Sequence, residues 1–153
     1  MMLMSENTIV IEAAKKEDLP DIHGLVRELA IYEKAEKEFV ASLEDYEQNF
    51  ESGVFESIVA RVDGQVAGMA LFYLTYSTWK GRMLYLEDFV VKADFRRYGL
   101  GQKLFDAFLD RAKTLDCRLV KWQVLDWNTP ALKFYLKNEA IIEKEWWNGK
   151  IFL

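Results

Sequence analysis

Two segments of this chain combine residue types and spacings that could do chemistry. In the first, Glu87 and Asp88 stand side by side within residues 83–91, an otherwise apolar run, M-L-Y-L-E-D-F-V-V. Alternation along a strand points the two carboxylates to opposite faces, one toward a cleft and one toward the other layer. Charges in so apolar a strand are costly without a purpose, so the pair reads as functional ahead of a structural ion-paired couple. The second segment is 92–101, K-A-D-F-R-R-Y-G-L-G. Two glycines two apart let a backbone approach a ligand closely. N–H groups at a helix start, with the helix dipole, favour an anion, and Arg96 and Arg97 add charge. The chemistry indicated is phosphate or pyrophosphate binding. A Walker A loop would need G-K-[ST], and a dinucleotide fingerprint would need G-x-G-x-x-G after the first strand. The spacing here is R-x-x-G-x-G, after a middle strand.

The elements that must position these groups follow from periodicity. Residues 8–13 alternate and are β-branched, a first strand. Leu19, Ile22, Leu25, Val26, Leu29 and Ala30 recur at helical spacing up to Tyr32, with Pro20 in the first turn. Residues 33–40 are charged and loop-like, and Ser42 followed by Glu44 and Asp45 opens a helix over 42–50. Strands are expected at 55–62 and 65–75, joined by an Asp63-Gly64 hairpin turn. After a loop at 75–81 come a strand at 83–91, a helix from the glycine loop to about Leu115, and a strand at 118–125. A helix opens at Asn128 and runs to Lys137, and the tail 141–153 reads as one or two terminal strands. No repeat or linker interrupts this order. It predicts one α/β domain with a mixed sheet, antiparallel in the middle, and a right-handed parallel crossover between 83–91 and 118–125.

Bulk properties exclude several classes. With 153 residues, half of them hydrophobic, the chain can bury a core without staples. A net charge of −5 argues against broad nucleic-acid backbone binding. One cysteine, Cys117, rules out an internal disulfide and a CxxC metal site, and it reads as a small residue near a helix end. The single histidine, His23, sits in a helical pattern and reads as a surface or packing residue, not a metal ligand. Residues 1–5 are apolar but too short for a signal peptide, and no run reaches the length of a membrane span. A cytoplasmic protein that binds neither membrane nor metal is expected.

The loop Arg96-Arg97-Tyr98-Gly99-Leu100-Gly101 resembles the R/Q-x-x-G-x-G/A pyrophosphate loop of the GNAT superfamily of N-acetyltransferases. Four further stretches resemble its spermidine/spermine branch, which also includes thialysine acetyltransferases. They are E-L-A-I-Y-E-K at 28–34, Y-L-T-Y-S-T-W at 73–79, L-Y-L-E-D-F-V-V at 84–91 and W-N-T-P-A-L-K-F-Y at 127–135. They occur in family order over most of the chain.

The resemblance implies a GNAT acetyltransferase domain over 1–153, with a mixed, mostly antiparallel sheet whose central parallel pair splays at the acetyl-CoA site between flanking helices. It implies that Phe89, Val90 and Val91 meet the pantetheine arm or the thioester oxygen through backbone groups. Arg96, Arg97, Tyr98, Gly99, Leu100, Gly101 and Gln102 would form the pyrophosphate loop, and Asn128, Thr129, Pro130 and Ala131 would line the other side of acetyl-CoA. Tyr135 would be the general acid, and Tyr32, Glu33, Glu87 and Trp79 would contact the acceptor amine. Homodimers with shared acceptor sites are implied as well. Two positions depart from the branch: Arg97 replaces the first loop glycine of the polyamine enzymes, and Glu139 stands where members usually carry glycine.

The residues suit that chemistry. A lysine-like or polyamine nitrogen, ordinarily protonated up to a pKa of about 10.4, must lose a proton before it attacks a thioester. Glu87, or a water chain ending at it, is the candidate acceptor of that proton. Expected is an enzyme that acetylates a primary amine of a small cationic acceptor (polyamine, diamine or lysine analogue) by direct transfer in a ternary complex, without a covalent Cys117 intermediate. The alternatives are a protein or aminoglycoside amine as acceptor, a non-catalytic acetyl-CoA-binding module, or a domain for another nucleotide. Glu36 and Glu38 read as a solvated charge run, and Trp127, Trp146 and Trp147 as packing.

Overall fold

A computed structural model describes residues 6–153, and the expectation for residues 1–5 lies outside them. The chain packs as two compact units, Met1–Gln123 and Val124–Leu153, each described by itself.

In the first unit a five-stranded sheet runs in the order β1-β2-β3-β4-β5. Its strands are β1 (Ile9–Ala13), β2 (Glu56–Val62), β3 (Gln65–Ser77), β4 (Gly81–Val91) and β5 (Leu119–Trp122). The first four pair antiparallel and β4 pairs β5 parallel. The β2–β3 turn has Asp63 and Gly64 both at positive φ, the geometry an Asp-Gly hairpin supplies. The expected loop at 75–81 is shorter than its sequence suggests, because Thr75, Tyr76 and Ser77 pair with Met83, Arg82 and Gly81.

The helices of this unit are α1 (Leu19–Tyr32), α2 (Leu43–Glu51) and α3 (Leu100–Thr114). Ser42 caps α2 by accepting from the Asp45 N–H, while the Asp45 carboxylate accepts from the Ser42 N–H. Leu19, Ile22, Leu25 and Val26 of α1 pack with Val59, Met69 and Leu71 on one face of the sheet. The period-2 alternation of β3 sends Phe72 to the other face, where it meets Phe108 of α3 at 5.4 Å between ring centroids. Arg61 ties β2 to β1 and to the turn before α1, donating to Glu12 at 2.7 Å and to Asp18 through two bonds of 2.8 Å.

A 3-10 turn, Ala93–Tyr98, leads from β4 to Gly99, which has a φ of 69° and stands as the N-cap of α3. Gly101, expected in a loop, already lies in the first turn of α3.

The second unit holds α4 (Thr129–Lys137), whose Asn128 cap accepts from the Ala131 N–H at 3.3 Å, with Pro130 in the first turn. The expected strands at 141–153 are not formed. The aromatic and β-branched residues there suit a strand, but a strand exists only where a neighbour completes its ladder. The parallel pair therefore ends the sheet instead of lying at its centre.

Candidate active site

One irregularity in β4 decides where the two carboxylates go. Tyr85 lies opposite Tyr73 and Leu86 opposite Phe72, but Leu71 lies opposite Asp88, so Glu87 is an extra residue in the ladder, a β-bulge. Strict alternation would carry Asp88 to the α3 face. The bulge resets the register. Phe89 then packs beside Phe105 of α3, and Asp88 joins Glu87 on the α1 and α2 face. The expected opposite orientation of the pair is thereby corrected: both carboxylates line one cavity.

That cavity has a volume of about 480 Å³ and lies wholly within the first unit. Phe39, Tyr46, Phe55 and Tyr73 supply aromatic walls, Leu71 an aliphatic one, and Glu38, Asp45, Glu87 and Asp88 the carboxylates. The Tyr73 hydroxyl donates to Glu87 Oε2 at 2.8 Å. Tyr73 also stacks on Tyr85, with centroids 5.5 Å apart.

Burial, then the negative charges of Glu87 and Glu33, push the Asp88 carboxyl up to about 7. Burial also raises Glu33, at the end of α1. Burial and the charges of Asp88 and Glu87 push the Tyr46 phenol well above its ordinary range, and burial with the Glu87 hydrogen bond does the same for Tyr73. At neutral pH both phenols keep their protons, beside Glu87 and an Asp88 carboxyl that is only partly ionised. An alkyl ammonium would be matched by charge and by aromatic faces together.

The other residues singled out in the sequence fall into three places. Tyr32 is exposed at the end of α1 and Trp79 is exposed in the β3–β4 turn, and neither lines the cavity. Arg96 and Arg97 are exposed in the turn before Gly99, while Tyr98 is held by the Asn7 amide, which donates to its hydroxyl at 3.0 Å. Asn128, Thr129, Pro130, Ala131 and Tyr135 belong to the second unit, where Tyr135 is buried and meets the Phe134 ring at 5.6 Å. Cys117 is half-buried just beyond α3, and burial raises its thiol, the reverse of an activated nucleophile.

The end of β4 and the start of α3 in the first unit also have a definite shape. The β4–β5 ladder ends at Leu86–Trp122, while β4 continues to Val91. Past that point lies the start of α3, with a left-handed glycine cap, no acidic residue in its first turn and two arginines before it.

Comparison with known proteins fixes what this arrangement belongs to. Residues 19–139 match the acetyltransferase (GNAT) family. The chain is 35% identical over 152 residues to a thialysine N-epsilon-acetyltransferase of Bos taurus, covering 92% of this chain and 89% of that protein. The chain belongs to the GNAT acetyltransferase family. A Homo sapiens spermidine/spermine N(1)-acetyltransferase-like protein is 28% identical over 86% of this chain and 20% of its own length. A solved aminoglycoside N-acetyltransferase in complex with CoA superposes with a TM-score of 0.78 at 18% identity, over 97% of this chain and 99% of that one, which shows a shared fold. This GNAT chain is thus an N-acetyltransferase, in the diamine/thialysine branch, and GNAT acetyltransferases use acetyl-CoA.

Sequence reasoning read the Glu87-Asp88 pair as functional and gave the proton-accepting role to Glu87, but it gave no role to Tyr73 or Tyr46. Their spacing carried no signal, because only the bulge and the packing of α2 bring them to one cavity. Among the described residues no group of three or more His, Cys, Asp or Glu is set to hold a metal ion, and no helix is long and apolar enough to cross a membrane.

Proposed function

We propose that this protein acetylates a primary amine of a small cationic acceptor (a polyamine, diamine or lysine analogue) by direct transfer from acetyl-CoA in a ternary complex. The observation that carries the reading is the juxtaposition of Glu87 and Asp88 on one wall of an aromatic, acidic cavity. The names of the relatives, which act on thialysine or belong with the spermidine/spermine enzymes, support an acceptor of this kind.

The roles divide by environment. Glu87, exposed and oriented by Tyr73, takes the charge of the incoming ammonium. Asp88, whose carboxyl is pushed up to about 7, takes its proton, because a carboxylate that holds a proton more strongly is the better base. Glu33 adds negative potential at the end of α1. Tyr32 and Trp79 are kept as acceptor contacts on the strength of the family pattern alone.

Acetyl-CoA would supply the acyl group as a thioester. The residues present fit it: Arg96, Arg97, Tyr98, Gly99, Leu100, Gly101 and Gln102 at the start of α3 would hold the pyrophosphate. Phe89, Val90 and Val91 would offer backbone groups on the part of β4 that outruns β5. Asn128, Thr129, Pro130 and Ala131 would line the other side. Tyr135 Oη would hold the proton that a leaving thiolate needs. Residues 1–153 are read as one acetyltransferase domain, working as a cytoplasmic homodimer.

The test is release of CoA thiol from acetyl-CoA with spermidine, diaminopropane, thialysine, lysine and a lysine peptide, in the parent and in Tyr135→Phe. The expected result is turnover with one of the small cations and a loss of about 10²-fold or more in the variant. Binding of acetyl-CoA without acetylation of any amine would sink the proposal. Turnover that survives Tyr135→Phe would remove only the role of Tyr135.

A further inference from the structure

The wall of the cavity opposite β4 is the least regular part of the site. Phe39, Val40 and Ala41 line it, and they lie between a 3-10 turn, Glu36–Glu38, and the Ser42 cap of α2, in neither helix nor strand. Such a segment keeps its place through its side-chain packing and through the bonds that tie its backbone to rigid neighbours. At its start the Phe39 N–H donates to Glu36 O at 3.1 Å, a bond within the loop itself. Phe39 also packs against the core and lies 5.8 Å from the Arg27 guanidinium of α1, and a hydrogen bond that ties the segment's backbone to another element comes from His23.

His23 projects from α1 without lining the cavity, yet it reaches three residues that do. Its Nε2 lies 2.9 Å from the Ala41 carbonyl. Its ring meets Phe39 at 4.8 Å, tilted, and Tyr46 at 4.9 Å, edge to face. Because a carbonyl oxygen only accepts, the bond requires the proton on Nε2. The base of the anchor is firm: Ile22, Leu25 and Val26 on either side of His23 are buried. Tyr46 is fixed from its other side by Phe55, at 5.7 Å. One imidazole thus holds both a backbone carbonyl and two rings of the same wall.

We propose that His23 is a positioning residue for acceptor recognition, holding the Phe39–Ala41 wall and Tyr46 against the carboxylates of β4. The proposal rests on the reading of this cavity as the acceptor site. Glu87 and Asp88 are positioned by the β4 backbone and the proposed phosphate loop by the turn before α3, so neither is placed by this anchor. Loss of the anchor therefore acts on acceptor binding and spares the chemical step and acetyl-CoA.

Three variants separate the hydrogen bond from the ring: His23→Phe keeps a ring without the donor, His23→Gln keeps a donor without the ring, and His23→Ala keeps neither. Expected is a rise in acceptor KM of roughly three- to ten-fold in His23→Phe, the range of one lost hydrogen bond. The rise should be larger in His23→Ala and partly reversed in His23→Gln, with kcat and the acetyl-CoA KM close to the parent. Independently, long-range 15N–1H NMR of the neutral ring should place its proton on Nε2. A proton on Nδ1, a parental acceptor KM in His23→Phe, or a fall of all kinetic constants in step with thermal stability would each overturn the proposal. If the parent acetylates no amine, the functional reading fails first. If the parent turns over and His23→Phe matches it, only the role of His23 falls.

Discussion

The Tyr73 hydroxyl donates to Glu87 at 2.8 Å across the β3–β4 ladder, at the one place where β4 carries an extra residue. The bond and the bulge belong together. Two adjacent carboxylates on one face of a strand repel each other, and burial first, then the charge of Glu87, raises Asp88.

Asp88 should therefore govern the pH dependence of turnover. With Asp88 as the proposed base the rate needs it ionised, so kcat/KM with a small diamine should rise with pH and show an inflection near 7. Asp88→Asn should lower kcat by about 10²- to 10⁴-fold and abolish that inflection. Glu87→Gln should act mainly on acceptor KM. If the inflection stays in Asp88→Asn and disappears in Glu87→Gln, the two roles are exchanged.

The same carboxyl should cost stability above neutrality. Its ordinary pKa is 3.8, and in the fold it is raised to about 7. Between those values the folded chain holds a proton that the unfolded chain has lost. Stability therefore falls as pH rises through that window, and the loss is complete above about 7. Asparagine has no charge to bury. Melting curves should show Asp88→Asn more stable than the parent at pH 8, with the advantage gone at pH 4.

Gly68 marks a close approach of β3 to β4, at the residues proposed to meet acetyl-CoA. A Cβ there would stand 2.9 Å from the Val90 carbonyl oxygen and 3.2 Å from both Leu104 and Val91 side chains. The nearest atom is backbone, so Gly68→Ala must displace β4 at a cost of roughly 1–3 kcal/mol. Calorimetry should show a lower Tm, and kinetics a larger rise in the acetyl-CoA KM than in the acceptor KM. An unchanged Tm would show that β4 yields freely.

Glu139 holds a conformation that favours glycine. It follows the Asn138 cap of α4 at a φ of 64°, with its N–H donating to Leu136 O and the Ala140 N–H donating to Tyr135 O, both at 3.0 Å. This is a Schellman ending with a side chain at the left-handed position. Relief of roughly 1–2 kcal/mol, less the entropy glycine loses on folding, predicts that Glu139→Gly stabilises by about 0.5–1 kcal/mol. Denaturant titration of the variant beside the parent checks the sign.

Much of this molecule was written locally. The apolar spacing of Leu19 to Tyr32 set α1, Ser42 and Asp45 set the start of α2, and Asp63-Gly64 set the hairpin, because each depends on residues within one or two turns of chain. The R-x-x-G-x-G loop and the four family stretches were likewise legible, and they sufficed for the family. The sequence by itself could not place Asp88. Its face depends on one extra residue in a ladder with β3, and its proton affinity depends on burial beneath α1 and α2, so neither is a property of the E-D pair. The tail at 141–153 has strand-like residues but no strand, since pairing is decided by a neighbour. His23 read as a surface or packing histidine, and only the tertiary structure gave it three residues that line one cavity to contact.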